Sequence, residues 1–308
     1  MSEQKTRDVL GFGCATIDEL LYVDEWPERE RKIPIRHLEA QGGGLGATAL
    51  VAAARLGAQC AYAGMLGFDD TSKRVAQILE NENIDMNLVS WHEEAGAIRA
   101  FVVVDTSHNS RNIFFKRPLL VGTPPDAPSE AEVAASKCAF VDHYGGEGTV
   151  RLCEIARRVG VPVVADVERI DVPAFEAFFP LVPHPILSQG FASRLTNEER
   201  PAAMVRALWN EYREVVVVTC GENGAFFSED GREVAHFPAF ATEVVDTTGC
   251  GDCFHGAYCA TLAWGFSLEE RIRWASAAAS LKASVAGAQK GLPRREAVET
   301  LLGVTLRG

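Results

Sequence analysis

The stretch Glu243–Gly265 reads EVVDTTGCGDCFHGAYCATLAWG and decides the fold prediction for this chain. An apolar run leads to Asp246, a glycine-rich turn follows at 249–251, and a helical pattern ends at Gly265. The first amides of a helix have no hydrogen-bond partner within the helix, so a strand, a glycine turn and a helix in this order predict an anion site. Asp252 nevertheless stands at the start of the predicted helix.

Spacing alone allows two interpretations of Asp252. As a helix cap, its carboxylate would accept a free backbone amide and suit the positive end of the helix dipole. As a general base, it would take the proton from a hydroxyl that attacks phosphorus. The amides of Gly249, Cys250 and Gly251 would then stabilise the charge on the phosphoryl oxygens.

Around this stretch, short apolar runs alternate with longer helical patterns. Runs such as VPVVADV (161–167) and EVVVVTCG (214–221) are typical of buried strands, whereas GATALVAAARLG (46–57) is typical of a covering helix. Near-continuous apolar strands separated by amphipathic helices indicate a parallel sheet covered on both faces. We therefore predict a single α/β domain over residues 1–308, a three-layer doubly wound sandwich with a mainly parallel sheet.

Two segments, 20–41 and 97–117, depart from this pattern because polar and apolar residues partly alternate in them. They predict a small antiparallel sheet beside the main domain, placed as a lid that excludes water from a cleft. An open sheet of this kind has unpaired edges. We therefore expect two lids to pair in a homodimer.

The charge balance bears on the class of partner. Lys and Arg number 30 against 42 Asp and Glu, which gives a net charge of -12, and no basic run is present. This argues against nucleic acid as a partner. No apolar run reaches the ~18 residues that a membrane helix needs, and the N-terminus lacks the order of a signal peptide. We predict a cytoplasmic protein without a membrane partner.

The cysteines are expected to be buried thiols that pack in the core, and not metal ligands. Most of the 8 cysteines lie inside apolar runs, where buried reduced thiols are common. Cys250 and Cys253 form a C-x-x-C, but no second pair stands at zinc spacing. Both cysteines, and His255 one turn into the helix, are expected to pack.

Two motifs resemble those of one enzyme family. DTTGCGDCFHGA (246–257) resembles the D-T-T-G-A-G-D-x-F motif of the ribokinase, or PfkB, family of carbohydrate kinases. The stretch Gly42–Asp70, which begins GGGLGATAL, resembles the family's N-terminal motif. The resemblance extends over essentially the whole chain. It implies an ATP-dependent sugar kinase that phosphorylates a primary hydroxyl, with Asp252 as base and Gly249, Cys250 and Gly251 as the anion hole.

The resemblance also implies a sugar site in the N-terminal half. Asp18, in GCATID (13–18), matches an aspartate that binds sugar hydroxyls, a task that suits a carboxylate acceptor. Basic lid residues are candidates to meet an anionic substituent of the sugar, although such residues also occur on solvated strand faces. The implied substrate residues are Asp18, Thr16, Gly43, Gly44, Thr48, Lys32 and Arg99.

The nucleotide side follows from two loops. VVTCGENGA (217–225) resembles the family's nucleotide loop and implicates Thr219, Gly221 and Gly224, and VAGAQKG (285–291), with Gly287, lies where the family shelters adenine. Phosphoryl transfer from ATP requires Mg²⁺ to neutralise charge. Where the family commonly shows N-x-x-E for magnesium, LSQGF (187–191) has Ser188 and Phe191, so the magnesium network must be built differently.

Asp246 and Thr248 match positions that bind a potassium-like ion in some members of the family. Capping of the turn by their side chains is the alternative interpretation.

Several functions stay open at this point. The motifs look most like the branch that includes sulfofructose kinase, although Tyr144 stands where that branch's sulfonate-binding arginine is expected. An adenosine-type nucleoside kinase of the same fold and a ligand-sensing protein with reduced catalysis are alternatives. GFGCAT (11–16) suggests a dinucleotide oxidoreductase, but the full G-x-G-x-x-G is missing.

Overall fold

The computed structural model describes residues 5–108 and 110–304. The strands are β1 Arg7–Gly11, β2 Thr16–Val23, β3 His37–Gly43, β4 Cys60–Tyr62, β5 Met65–Leu66, β6 Ser90–Trp91, β7 Ile98–Asp105, β8 Ser110–Lys116, β9 Ser136–Asp142, β10 Val163–Asp166, β11 His184–Ser188, β12 Val216–Thr219, β13 Ala225–Ser228 and β14 Ala235–Phe237. The α-helices are α1 Leu45–Arg55, α2 Asp70–Asn81, α3 Glu130–Ala134, α4 Gly146–Val159, α5 Phe175–Phe178, α6 Gln189–Thr196, α7 Pro201–Ala207, α8 Cys250–Ala263, α9 Leu268–Ala283 and α10 Arg295–Leu302.

The central sheet has eight strands in the order β14-β13-β12-β11-β10-β9-β1-β4. The six from β12 to β4 run parallel, and β13 and β14 add an antiparallel edge. Side chains alternate between two apolar cores, so that Val217 packs on one face while Val216 and Val218 pack on the other. Helices α1, α2 and α8–α10 cover the first face, and α3–α7 cover the second. The predicted three-layer doubly wound α/β fold is confirmed.

A separate four-stranded sheet, which we call the lid, has the order β3-β2-β7-β8. Its outer pairs are antiparallel, as predicted, whereas its central pair, β2 and β7, is parallel. The parallel pair arises because β2 follows β1 and β7 follows β4, β5 and β6, so both strands leave the same, carboxyl edge of the central sheet. Strand β2 begins before the predicted segment 20–41, and β3 ends just after it.

One face of the lid lies over the carboxyl edge of the central sheet. The alternation of the strands turns Leu20, Val102 and Ile113, which are neighbours in register, toward the intervening cleft. In open α/β sheets, ligands bind outside the carboxyl ends of the strands. Within the described ranges, every helix is too short or too polar to cross a lipid bilayer.

Candidate active site

A cleft of about 870 Å³ lies between the lid and the carboxyl ends of β9 and β10. Most of its wall comes from the lid, the loops after β9 and β10, and the turn that precedes α8. The predicted site residues that border it are Thr16, Asp18, Gly43, Gly44, Thr48, Asp246, Thr248, Asp252 and Gly287. Residues that are far apart in the sequence therefore meet in one space.

The sugar-side residues form a tight group at the start of β2. The Thr16 hydroxyl donates to Asp18 Oδ1 at 2.6 Å, and burial raises the pKa of Asp18. A Cβ at Gly43 would lie 2.6 Å from Thr16 Oγ1 and closer still to Asp18 Oδ2, so any other residue there would displace these two side chains. Thr48 is fully buried, and its Oγ1 accepts a hydrogen bond from Gln289 Nε2 at 3.3 Å. Asp18 thus keeps acceptor capacity toward the cleft, whereas one acceptor position of the Thr48 hydroxyl is taken by Gln289.

Helix α8 begins at Cys250, with Gly249 as its N-cap residue. Gly249 has φ 80°, in the left-handed region that glycine adopts readily. Asp252 is the third residue of the helix and caps nothing, because the N-terminus has no side-chain cap hydrogen bond. The cap interpretation of Asp252 is therefore wrong. Its carboxyl borders the cleft beside the first turn of a helix of 14 residues, where the helix dipole is positive.

Asp252 lies among other carboxyls at the carboxyl edge of the sheet. Burial, and then the charges of Asp166, Glu168 and Asp142, raise the pKa of Asp252 well above its usual range. Burial also raises the pKa of Asp142 to about 7, although its oxygens accept the amides of Cys14 and Tyr144. A carboxyl with a raised pKa is better matched to proton transfer near neutral pH than an ordinary aspartate.

This environment predicts a pH-dependent effect of Asp252→Asn on stability. The pKa of Asp252 is higher in the folded chain than in the unfolded chain. At pH values between these two pKa values the folded chain binds more protons than the unfolded chain, so its stability falls as pH rises through this range. The variant lacks this loss, so its Tm without ligand should exceed the wild-type Tm by more at pH 8 than at pH 5. Scanning calorimetry at both pH values measures it. Asp70→Asn, at an exposed position in the first turn of α2, is the control and should show no such trend.

His255 is buried and fixed by the backbone. Its Nδ1 lies 2.8 Å from the Gly251 carbonyl oxygen, and its Nε2 lies 3.0 Å from that of Ile186. Nδ1 is also 3.4 Å from Asp166 Oδ2. His255 therefore joins the first turn of α8 to the middle of β11, in line with the predicted packing role.

The predicted nucleotide residues lie at two places. Gly287 borders the cleft, next to Asp246, to which its amide donates. Thr219, Gly221 and Gly224 lie at the end of β12 and in the following turn, outside the lining of the cleft. They share the carboxyl edge of the sheet with the cleft because β12 is parallel to β11.

The structure does not bring Lys32 or Arg99 to the cleft, which corrects their prediction as substrate contacts. The alternation of β7 places Arg99 on the outer face of the lid, where it forms an ion pair of 2.9 Å with Glu19. Its guanidinium also lies 4.9 Å from the centre of the Phe101 ring. Lys32 is exposed in the loop between β2 and β3 and does not border the cleft.

Five further polar residues border the cleft: Arg111, one of the basic lid candidates, Tyr144, at the position expected for a sulfonate-binding arginine, and His143, Glu168 and Arg169, which were not singled out from the sequence. Arg111, on the lid, donates to Thr248 Oγ1 and lies 3.5 Å from Asp246 Oδ1, so it closes the lid onto the turn before α8. His143 is only 4% exposed, and its Nδ1 has no hydrogen-bond partner in the described part of the chain. Polar residues directly after the apolar strands β9 and β10 were the sequence feature that could have revealed four of the five.

The expected magnesium positions hold no metal ligand. Ser188 Oγ accepts the Phe191 amide at 3.3 Å and so caps α6. Phe191 is 2% exposed and packs in the core. The departure from N-x-x-E therefore serves local packing, and any metal ligands must come from other residues.

Comparisons with known proteins agree with this architecture. The model of the pfkB family of carbohydrate kinases matches residues 6–295. The ribokinase of Haemophilus influenzae is 27% identical over 304 residues, which cover 97% of this chain and 98% of that protein. The ribokinase of Bacillus subtilis is 28% identical over 306 residues, which cover 96% of this chain and 99% of that protein.

Solved structures show the same fold. The Arabidopsis thaliana ribokinase complexed with ribose and ATP superposes with a TM-score of 0.84 at 24% identity, covering 96% of this chain and 98% of that chain. The Thermotoga maritima ribokinase superposes with a TM-score of 0.83 at 24% identity, covering 96% of this chain and 98% of that chain. The extent of the family match settles the assignment: this chain belongs to the pfkB family of carbohydrate kinases, phosphotransferases that act on sugar hydroxyls.

Proposed function

We propose that this kinase transfers the γ-phosphate of ATP to a primary hydroxyl of a sugar or sugar derivative, with Asp252 as general base. The observation that carries the proposal is that Asp252 and Asp18, on different elements, border the same cleft under the lid. Asp18 accepts hydrogen bonds from the sugar hydroxyls and so orients the sugar, and the Thr16 hydroxyl, which donates to it, fixes the Asp18 carboxylate. A cytoplasmic location, where ATP is abundant, is part of the proposal.

The reaction assigns a role to each side of the cleft. The Asp252 carboxylate takes the hydroxyl proton as the oxygen–phosphorus bond forms and the bond to the ADP leaving oxygen breaks. The amides of Gly249 and Gly251 and the positive end of α8 stabilise the charge on the phosphoryl oxygens, whereas the Cys250 amide already donates to the Thr247 carbonyl oxygen at 3.2 Å. Apolar lid residues such as Leu20, Val102 and Ile113 exclude water, which would otherwise accept the phosphoryl group.

Mg²⁺ bound with ATP neutralises phosphate charge in such reactions. Proteins usually hold Mg²⁺ through one or two carboxylates together with substrate phosphates. Glu168 borders the cleft and meets this requirement, in place of the family's N-x-x-E. We propose its carboxylate as a direct or water-mediated partner of Mg²⁺, with Gly287, Thr219, Gly221 and Gly224 on the nucleotide side.

A coupled ADP-release assay over a substrate panel tests this function. Ribose comes first because the relatives described above are ribokinases, and sulfofructose is included because that branch stays a prediction. Magnesium-dependent turnover of a sugar would support the proposal, whereas turnover of adenosine-type nucleosides alone would favour the nucleoside kinase. Thermal stabilisation by ligands without any turnover would favour a ligand-sensing protein and contradict the proposal.

We also propose that two lids pair in a homodimer. Leu38 and Phe114 lie on the outer face of the lid, where they are 61% and 55% exposed, and Phe114 stacks on the exposed Trp26. Apolar groups of this kind often mark an interface.

Phe114→Asp should therefore convert a dimer into a monomer, because a charge would be buried without a partner at the interface. Light scattering coupled to gel filtration measures the mass. Phe68→Asp, at an exposed aromatic residue that stacks on Trp91 outside the lid, should leave the dimer intact. A monomeric wild-type protein would contradict the proposed dimer.

A further inference from the structure

Lys282 is fully buried, with 0% of its surface exposed, in the last turn of α9. Lysine is rarely buried to this extent without a partner of opposite charge. In the described residues, however, its ammonium lies in no ion pair with a carboxylate, and it donates to two backbone carbonyls, those of Asp246 and Val285, each at 2.9 Å. Removing a charged group from water costs free energy that neutral acceptors only partly offset. A buried charge of this kind calls for an explanation.

The two carbonyls belong to the two segments that border the end of the cleft. Asp246 leads into the turn 247–249 before α8, and Val285 lies in the loop that carries Gly287. The Ala283 carbonyl also accepts the amides of Val245 and Asp246, at 2.8 and 3.0 Å. The Lys282 ammonium therefore links the turn before α8 to the end of α9. It also lies at the C-terminal end of α9, where the helix dipole favours a cation.

The contacts of Asp246 bear on the prediction that a potassium-like ion binds at Asp246 and Thr248. Asp246 Oδ1 accepts both the amide and the hydroxyl of Thr248, at 2.9 and 2.7 Å, and Arg111 lies beside it. Oδ2 accepts the Gly287 amide at 2.9 Å, and the carbonyl oxygen accepts Lys282. Every oxygen of Asp246 thus already accepts a hydrogen bond from the chain itself, and two cationic groups, Lys282 and Arg111, lie beside this residue. The residues present do not fit a potassium-like ion at this place.

We propose that the Lys282 ammonium is a built-in monovalent cation that positions the turn before α8, so that the enzyme needs no K⁺. Without a positive charge between them, the Asp246 and Val285 carbonyls would repel each other, and the turn that leads into the first amides of α8 would tilt. Lys282 is a positioning residue, since it does not border the cleft. Its effect on turnover rests on the proposed kinase reaction, whereas its effect on stability does not.

The test compares the wild type with two variants in K⁺, NH₄⁺, Na⁺ and tetramethylammonium chloride at equal ionic strength. Lys282→Ala removes the charge and opens space for an ion, whereas Lys282→Met removes the charge but fills most of that space. Both variants should lose about tenfold in kcat, less than the ~10²–10³-fold that follows the loss of a whole anion-hole donor. Because K⁺ and NH₄⁺ resemble the lost ammonium in size, they should raise both Tm and kcat of Lys282→Ala only. Na⁺ should do so less, and tetramethylammonium not at all.

The wild type and Lys73→Ala, at an exposed lysine of α2, should respond equally to all four salts. Selective activation of the wild type by K⁺ would overturn the proposal, as would an unchanged kcat in both variants or a Lys282→Ala protein that no ion rescues. If Lys282→Ala does not fold, the salt response of the wild type and the kcat of Lys282→Met still test the proposal. Activation of the wild type by K⁺, or an unchanged kcat in Lys282→Met, would overturn it. If no sugar is turned over, the Tm measurements without substrate test Lys282 separately.

Discussion

Asp252→Asn is expected to lower kcat by ~10²–10⁴-fold, the usual contribution of a general base. Asparagine has nearly the same shape as aspartate, so α8 and its N-terminal amides keep their positions, but the amide cannot take the hydroxyl proton. The affinity for ATP should change little, or rise slightly, because one negative charge near the phosphates is removed. Steady-state kinetics and calorimetric titration with ATP measure the two effects.

Asp70→Asn is the control, because it makes the same acid-to-amide change in the first turn of another helix, α2, where the side chain is fully exposed. The comparison separates the loss of a general base from the general effect of such a change. That variant should keep the wild-type kcat. A kcat near that of the wild type in Asp252→Asn would remove Asp252 from the mechanism. A large loss of ATP affinity in the same variant would instead make Asp252 mainly a binding residue.

The features that were predicted from the sequence are those that depend on residues close together in the chain. A strand, a glycine turn and a helix follow one another within Glu243–Gly265, and local backbone preferences suffice to place Asp252 near the N-terminus of α8. The helix nevertheless begins at Cys250, two residues earlier than predicted, because Gly249 with its positive φ starts it. Gly43 was predicted as a substrate residue, and the structure adds that a side chain at this position would displace Asp18 and Thr16.

What escaped prediction depends on contacts between distant segments. The parallel pairing of β2 and β7 follows from where each strand leaves the central sheet, which the sequence of either strand does not contain. The face on which Arg99 lies depends on that register, because a shift of one residue would turn it toward the cleft. Nothing in the sequence distinguishes Lys282 from other lysines of helices, and only the contact of α9 with the turn before α8 shows that its ammonium is enclosed.

Asp18→Asn is expected to raise KM for the sugar by ~10–100-fold, which matches the ~1.5–3 kcal/mol of a hydrogen bond to a charged group. The amide keeps the shape of the side chain but offers one acceptor oxygen instead of two, and its NH₂ group faces Thr16 or a sugar hydroxyl that already donates. The effect on kcat should be smaller, because Asp18 contacts the sugar in both the ground state and the transition state.

Glu19→Gln is the matched control for Asp18→Asn, because Glu19 is the next residue of the same strand but faces outward and pairs with Arg99. Alternation along β2 thus separates two neighbouring acids into one that borders the cleft and one that does not. Initial rates at varied sugar concentration should show a raised KM for Asp18→Asn alone. Equal kinetic effects of the two substitutions would mean that the lid acts through its stability, and Asp18 would lose its role in binding the substrate.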